Sequence, residues 1–203
     1  MNNPKMQQRK SIRLKGYDYS QAGLYFITIC TQYRECLFGE VKNGEMILNI
    51  FGKIALTEWY QTEVVRANCR IHESIVMPNH LHGIIEILYG NGENNEIGKF
   101  QSPSQTIGAI IRGFKIATIK KIKDLIQENN NRSVAGFKPN MGELDFAPST
   151  GELQFAPTIK NLDYKIWQRN YYERIIRDEK AYLNISEYII NNPGKWEADT
   201  LNK

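Results

Sequence analysis

Apolar and polar residues recur along this chain with two different periods, and the changes of period mark its elements. The run at residues 23–31, GLYFITICT, is dense in β-branched and aromatic residues and predicts a central strand. Short apolar stretches at 37–41 and 45–48 flank Lys42-Asn43-Gly44, and Asn-Gly in that position predicts a hairpin. Across 50–66 the period becomes helical, with Ile54, Glu58 and Gln61 alternating with Ala55, Trp59 and Thr62. Two-residue alternation returns at 71–77. It places Ile71, Glu73, Ile75 and Met77 on one face and His72, Ser74 and Val76 on the other. Pro78-Asn79 then reads as a turn into a further strand over 80–88.

The second half is more varied. Residues 89–104 are rich in Gly, Asn and Ser and predict a loop. An amphipathic helix follows over about 104–127. Ile107, Ile111, Phe114, Thr118, Ile122 and Leu125 form its apolar stripe, with Arg112, Lys120 and Lys123 on the far side. Within 129–162 the segment GELDFAP (142–148) recurs as GELQFAP (151–157). Two copies cannot build a solenoid, so this region predicts a mobile surface insertion without a catalytic role. Residues 163 to about 172 read as strand or extended chain. A last helix is predicted over 178–192, with Tyr182, Ile185 and Ile189 as its buried stripe and Pro193-Gly194 as its stop.

A length of 203 residues suits one domain at 21–203 behind a short arm at 1–20. No apolar run is long enough to span a bilayer, and the N-terminus lacks the apolar core of a secretory signal. The expected location is the cytoplasm, with no membrane partner. Cys30, Cys36 and Cys69 are odd in number and lack Cys-x-x-Cys spacing, which predicts reduced thiols and excludes a disulfide frame. The net charge of +4 is a weak pointer to a polyanion, but Lys5, Arg9, Lys10, Arg13 and Lys15 crowd the first sixteen residues without one acid. Such an arm fits phosphate contacts and a solvated tail equally well.

The chemistry-bearing residues concentrate in two places. His80 and His82 are two of the three histidines, and strand alternation puts them on one face with Leu81 on the other. Same-face imidazoles can hold one metal ion from one side, although His-x-His alone is a common spacing. His72 reads as structural or as an exposed edge residue, and Glu86 shares the histidine face without an assigned role. In the last helix, Tyr188 and Asn192 are four apart and stack on one face beside the buried stripe. An amide oxygen from Asn192 could supply a third ligand, with the Tyr188 phenol then beside the metal, but spacing alone fits an amphipathic-helix tyrosine and a C-terminal cap better. Imidazole and oxygen ligands suit Mg²⁺ or Mn²⁺.

The stretch MPNHLHGIIEI resembles the His-hydrophobic-His strand of the single-tyrosine HUH transposases. RKSIRLKGYDYSQAGLYFITICT and IWQRNYYERIIRDEKAYLNISEYIINNPGKWEAD resemble the N- and C-terminal segments of the REP-associated tyrosine transposase branch. The resemblance covers nearly the whole chain except about 129–162. It implies an α+β, ferredoxin-like fold, an antiparallel sheet with the histidine strand central and helices packed on it. It implies transposase activity: single-stranded DNA cut and rejoined near a hairpin, a palindromic repeat, through a covalent 5′-phosphotyrosine. By that resemblance Tyr188 is the nucleophile, and His80, His82 and Asn192 are the metal ligands. Asn191 is the alternative third ligand, and Tyr171 and Tyr172 are rival tyrosines. Arg9, Arg13, Lys15, Tyr17 and Tyr19, with the helical cations Arg112, Lys120 and Lys123, become DNA contacts, and a monomer is favoured over a homodimer. Two other functions stay open: a hairpin-binding protein that no longer cuts, and a phosphodiesterase that uses water.

Overall fold

The computed structural model describes residues 21–89, 106–134 and 154–202. The basic arm, most of the loop over 89–104, the first repeat copy and the start of the second lie outside them. Within them the chain runs β1 (Gly23–Cys30), β2 (Gly39–Lys42), β3 (Glu45–Leu48), α1 (Ile50–Val65), β4 (Cys69–Met77), β5 (His80–Ile87), α2 (Ile107–Val134), α3 (Ala156–Asn161), β6 (Tyr172–Ile176) and α4 (Glu179–Ile190). A 3₁₀ turn, Pro193–Ala198, follows α4.

Four strands form an antiparallel sheet in the order β4-β5-β1-β6. Each helical crossover, α1 from β1 to β4 and α2 from β5 to β6, skips a strand. This is the βαββαβ ferredoxin-like topology, an α+β fold with β5 and β1 at the centre. The β2–β3 hairpin is inserted before α1, and its turn has Asn43 and Gly44 at φ 54° and 76°. Those angles match a two-residue type I′ turn.

The sheet's two faces have different partners, and strand alternation sorts them. Tyr25, Ile27, Ile29, Leu81 and Ile85 point toward α1 and α2, joining Phe51, Ala55, Trp59, Ile110, Phe114 and Ile122 in the main core. Phe26, Ile84 and Ile176 point the other way and meet Ile189 of α4. Gly83 has to be glycine: a Cβ there would stand 2.6 Å from the Trp59 ring.

Three expectations needed correction. The alternation over 71–77 is broken, because Ile71 pairs with Ile85 but Ser74 with Gly83, so two residues oppose one across a β-bulge. Ile71 and Val76 therefore share the main core while Ile75 packs on the α4 side, and His72 and Glu73 both reach α4. Of the strand-or-extended reading before residue 172, the strand alternative fails: that segment makes only an isolated bridge, Trp167 to Thr31, and β6 begins at Tyr172, where pairing with Thr28 of β1 becomes available. The ends of the 129–162 region are ordered, since α2 continues to Val134 and α3 buries Ala156 and Ile159 in the main core.

Candidate active site

The histidines open β5 because the two-residue turn Pro78-Asn79 reverses the chain directly before them. His80 lies opposite Cys30 and His82 opposite Thr28, on the face that carries α4. Their rings are 4.5 Å apart between centroids, and both are buried. Helix α4 starts at Asp178, whose carboxylate accepts from the Ala181 N–H as a helix cap. The helix then crosses the sheet and delivers Tyr188 to His82, with its phenol oxygen 3.2 Å from Nε2. The Tyr188 ring also meets Phe26 edge-on at 6.1 Å, and Phe26 stacks on His82 at 5.3 Å.

Each imidazole is oriented through its other nitrogen. Asn79 Oδ1 lies 2.8 Å from His80 Nδ1, and an amide oxygen only accepts, so His80 carries its proton on Nδ1. Its Nε2 is then a bare lone pair, and it is buried without a partner. Thr28 Oγ1 lies 2.8 Å from His82 Nδ1. Asn79 is itself fixed through its NH₂, which donates to the carbonyls of Arg34 and Leu201.

The electrostatics favour uncharged rings. Burial drops His80 from the usual 6.5 to about 4, partly opposed by the Asp199 charge. Burial and the neighbouring His80 hold His82 well below the usual value. Burial raises the Tyr188 phenol above 10, and the Asp199 charge adds to this, while a hydrogen bond with Asn192 works against it.

Asn192 is buried just beyond α4, and its Oδ1 has no partner. Asn191 is exposed and serves as the helix C-cap through its backbone, whereas Asn192 lies against Tyr188 and Asp199. Its amide NH₂ stands 3.5 Å from Asp199 Oδ2. Among the described residues, His80, His82 and Asp199 bring one ligand atom each within 4.8 Å of one another. These two imidazoles and one carboxylate could hold a metal ion, and the His80 Nε2 among them is buried without a hydrogen-bond partner.

No protein-family model matches the sequence. The chain is 40% identical over 207 residues to an uncharacterized protein of Haemophilus influenzae (strain ATCC 51907 / DSM 11121 / KW20 / Rd), across 98% of this chain and 96% of that one. The chain belongs to that protein's family. Among solved structures, a REP-associated tyrosine transposase bound to a REP hairpin is similar with a TM-score of 0.47 at 18% identity, over 90% of this chain and 73% of that chain.

Other residues singled out from sequence are placed as follows. Arg112, Lys120 and Lys123 are exposed on α2, which packs on the face opposite the histidines, so they do not join this site. Lys120 lies 3.7 Å from Asp124, and Lys123 stands over the Tyr164 ring. Arg9, Arg13, Lys15, Tyr17 and Tyr19 are outside the described residues. Glu86 does not orient His82; it lies 2.9 Å from His72 Nε2. Tyr172 shares the site's face of the sheet, opposite Thr28.

Sequence reading missed Asp199, Thr28 and Asn79. Asp199 follows a 3₁₀ turn whose Trp196 packs near His80, at 6.0 Å between rings, and no helical or strand period predicts that return. Thr28 was legible in principle, as the residue of the central strand that lies opposite His82 once register is known.

Proposed function

We propose that this chain is a divalent-metal-dependent transposase that cuts and rejoins single-stranded DNA beside a hairpin, with Tyr188 as nucleophile. The observation that carries the reading is the approach of the Tyr188 phenol to His82, 3.2 Å away, beside buried ligand atoms that have no partner. Such an arrangement has little structural purpose, because unpartnered buried polar atoms cost stability. His80, His82, Tyr188 and Asp199 all belong to one chain, so a monomer could carry this site.

His80, His82 and Asp199, with Asn192, would hold the cation, which when bound supplies charge to polarise a phosphodiester and stabilise the departing oxygen. The chain's own groups do the rest. Phe26 and His82 wall the Tyr188 ring, so the phenol oxygen is directed along the sheet face. Attack by the phenolate on phosphorus forms a tyrosine–phosphate ester and breaks the bond to the 3′ oxygen. The phenol proton leaves to solvent, which Tyr188 reaches at 39% exposure, and the departing 3′ oxygen takes up a proton from solvent to become a hydroxyl. The ester conserves the energy of the broken bond for rejoining.

Product ends test this. With Mn²⁺ and a hairpin-bearing single strand, the expected products are an upstream fragment ending in a free 3′ hydroxyl and a downstream fragment joined to the protein through its 5′ phosphate, a link that survives denaturation. A free 5′ phosphate equal in amount to the 3′-hydroxyl would mean that water is the nucleophile. Tight binding without cleavage in any divalent metal would mean a binding protein.

A further inference from the structure

We infer that the open edge of the sheet beside the site, strand β6, is a docking surface for the unpaired nucleotides that flank the cleaved phosphate, with Tyr172 as a base-stacking platform and Arg174 as its phosphate contact. The inference rests on the DNA-strand-transfer reading above and deepens it by saying where the strand lies.

The row His82–Thr28–Tyr172 runs across three adjacent strands, because Thr28 is the register partner of both outer residues. Cross-strand partners share a face, so Tyr172 projects on the same side as the histidines. The aromatic surface is continuous. Tyr188 contacts Phe26 at 6.1 Å, and Phe26 contacts Tyr172 edge-on at 6.5 Å. Yet Tyr172 is 44% exposed, whereas Phe26 is 9% exposed. A large ring left half open at the end of a buried aromatic row offers a π-face to a planar ligand.

Charge on this edge selects the ligand. Arg174 is exposed two residues along, so it lies on the same face as Tyr172, opposite Phe26. Arg169 and Arg177 are exposed on either side of the strand. Of the nearby acids, Glu173 is buried on the other face and the Asp178 carboxylate caps α4, while Glu179 is exposed in the first turn of that helix. An exposed aromatic flanked by cations, continuous with a phosphodiester site, suits an unpaired polyanion: bases stack and phosphates meet arginine. Among the described residues no strand pairs with the outer edge of β6, and helix α4 crosses toward β4, where Tyr182 and Ser186 bond to Glu73.

The test is binding of a labelled single strand ending in a hairpin to the full chain, by fluorescence anisotropy, with an abasic site placed at each unpaired position in turn. Tyr172→Ala should weaken affinity about tenfold, and Tyr172→Phe should bind as wild type. At one abasic position the wild type should suffer a similar loss, and Tyr172→Ala should add little to it. Arg174→Gln should flatten the slope of log affinity against log salt by about 0.7. The inference is overturned if Tyr172→Ala binds within twofold of wild type, or if the abasic and alanine penalties add in full at every position. Normal binding by Tyr172→Ala, with adduct formation lost only in Tyr188→Phe, would remove the edge surface and leave the catalytic reading standing. A wild-type chain that binds no single strand would remove both.

Discussion

At the scale of single residues, the site is built from neutral imidazoles, each held at Nδ1 by a neighbouring side chain. His80 donates to Asn79 and presents Nε2, and His82 is held at Nδ1 by Thr28. Partners of this kind typically govern metal affinity by ten- to a hundredfold. Thr28→Val should therefore weaken Mn²⁺ binding by about that factor in calorimetry while the circular dichroism spectrum is unchanged. The third ligand is separable in the same assay. Asp199→Ala should cost at least about tenfold in Mn²⁺ affinity, and a loss confined to Asn192→Ala would return the role to the amide alone. The depressed histidines also set an acid limit on the metal-free protein. Its folded form binds these protons more weakly than the unfolded chain, so stability is full above pH 6.5 and is lost as pH falls toward about 4. For His80 alone the loss is roughly 3 kcal/mol, readable from urea midpoints across that window.

At the scale of elements, the bulge in β4 and the capped helix α4 belong together. Two successive residues, His72 and Glu73, face α4 only because the extra residue reverses the alternation. Tyr182 and Ser186 both donate to Glu73 Oε2, at 2.9 and 3.1 Å, and the His72 ring meets Tyr182. Burial tends to raise the Glu73 carboxyl, but the hydrogen bonds it accepts outweigh this and hold it below the usual range. These bonds set where α4 sits and hence where Tyr188 arrives, less than two turns later. Glu73→Ala should lower stability by about 1–2 kcal/mol and speed amide exchange in α4 more than in β5. On the other face, Gly83→Ala would press on the Trp59 ring, with an expected cost of about 1–3 kcal/mol in the same urea titration.

At the scale of the whole molecule, the parts readable from sequence were those governed by local rules. The Asn43-Gly44 hairpin, the opening of α1, the Pro78-Asn79 reversal and the His80/His82 pair follow from turn chemistry and strict periodicity. Helical spacing put Tyr188 and Asn192 on one face, and the Tyr188 phenol does meet His82, but their chemical roles came only from the family resemblance and belong to the proposal. The misses share a different cause. The bulge at His72-Glu73 depends on how β4 pairs with β5, which no residue of β4 announces. Asp199 returns to the site through a 3₁₀ turn tied down by distant backbone, as in Asn79 Nδ2 to the Leu201 carbonyl. That α2's cations lie on the face away from the histidines follows from the crossover, and their role as DNA contacts stays a proposal. No described helix is long and apolar enough to cross a membrane.

The account stands on Tyr188 being the residue that takes the DNA. Protein–DNA adduct formed in Mn²⁺ can be digested with protease and nuclease and sequenced by mass spectrometry. The nucleotide mass is expected on the peptide that contains Tyr188, and no adduct is expected from Tyr188→Phe. Nucleotide on Tyr171, Tyr172 or any other residue, or adduct formed undiminished by Tyr188→Phe, would contradict it.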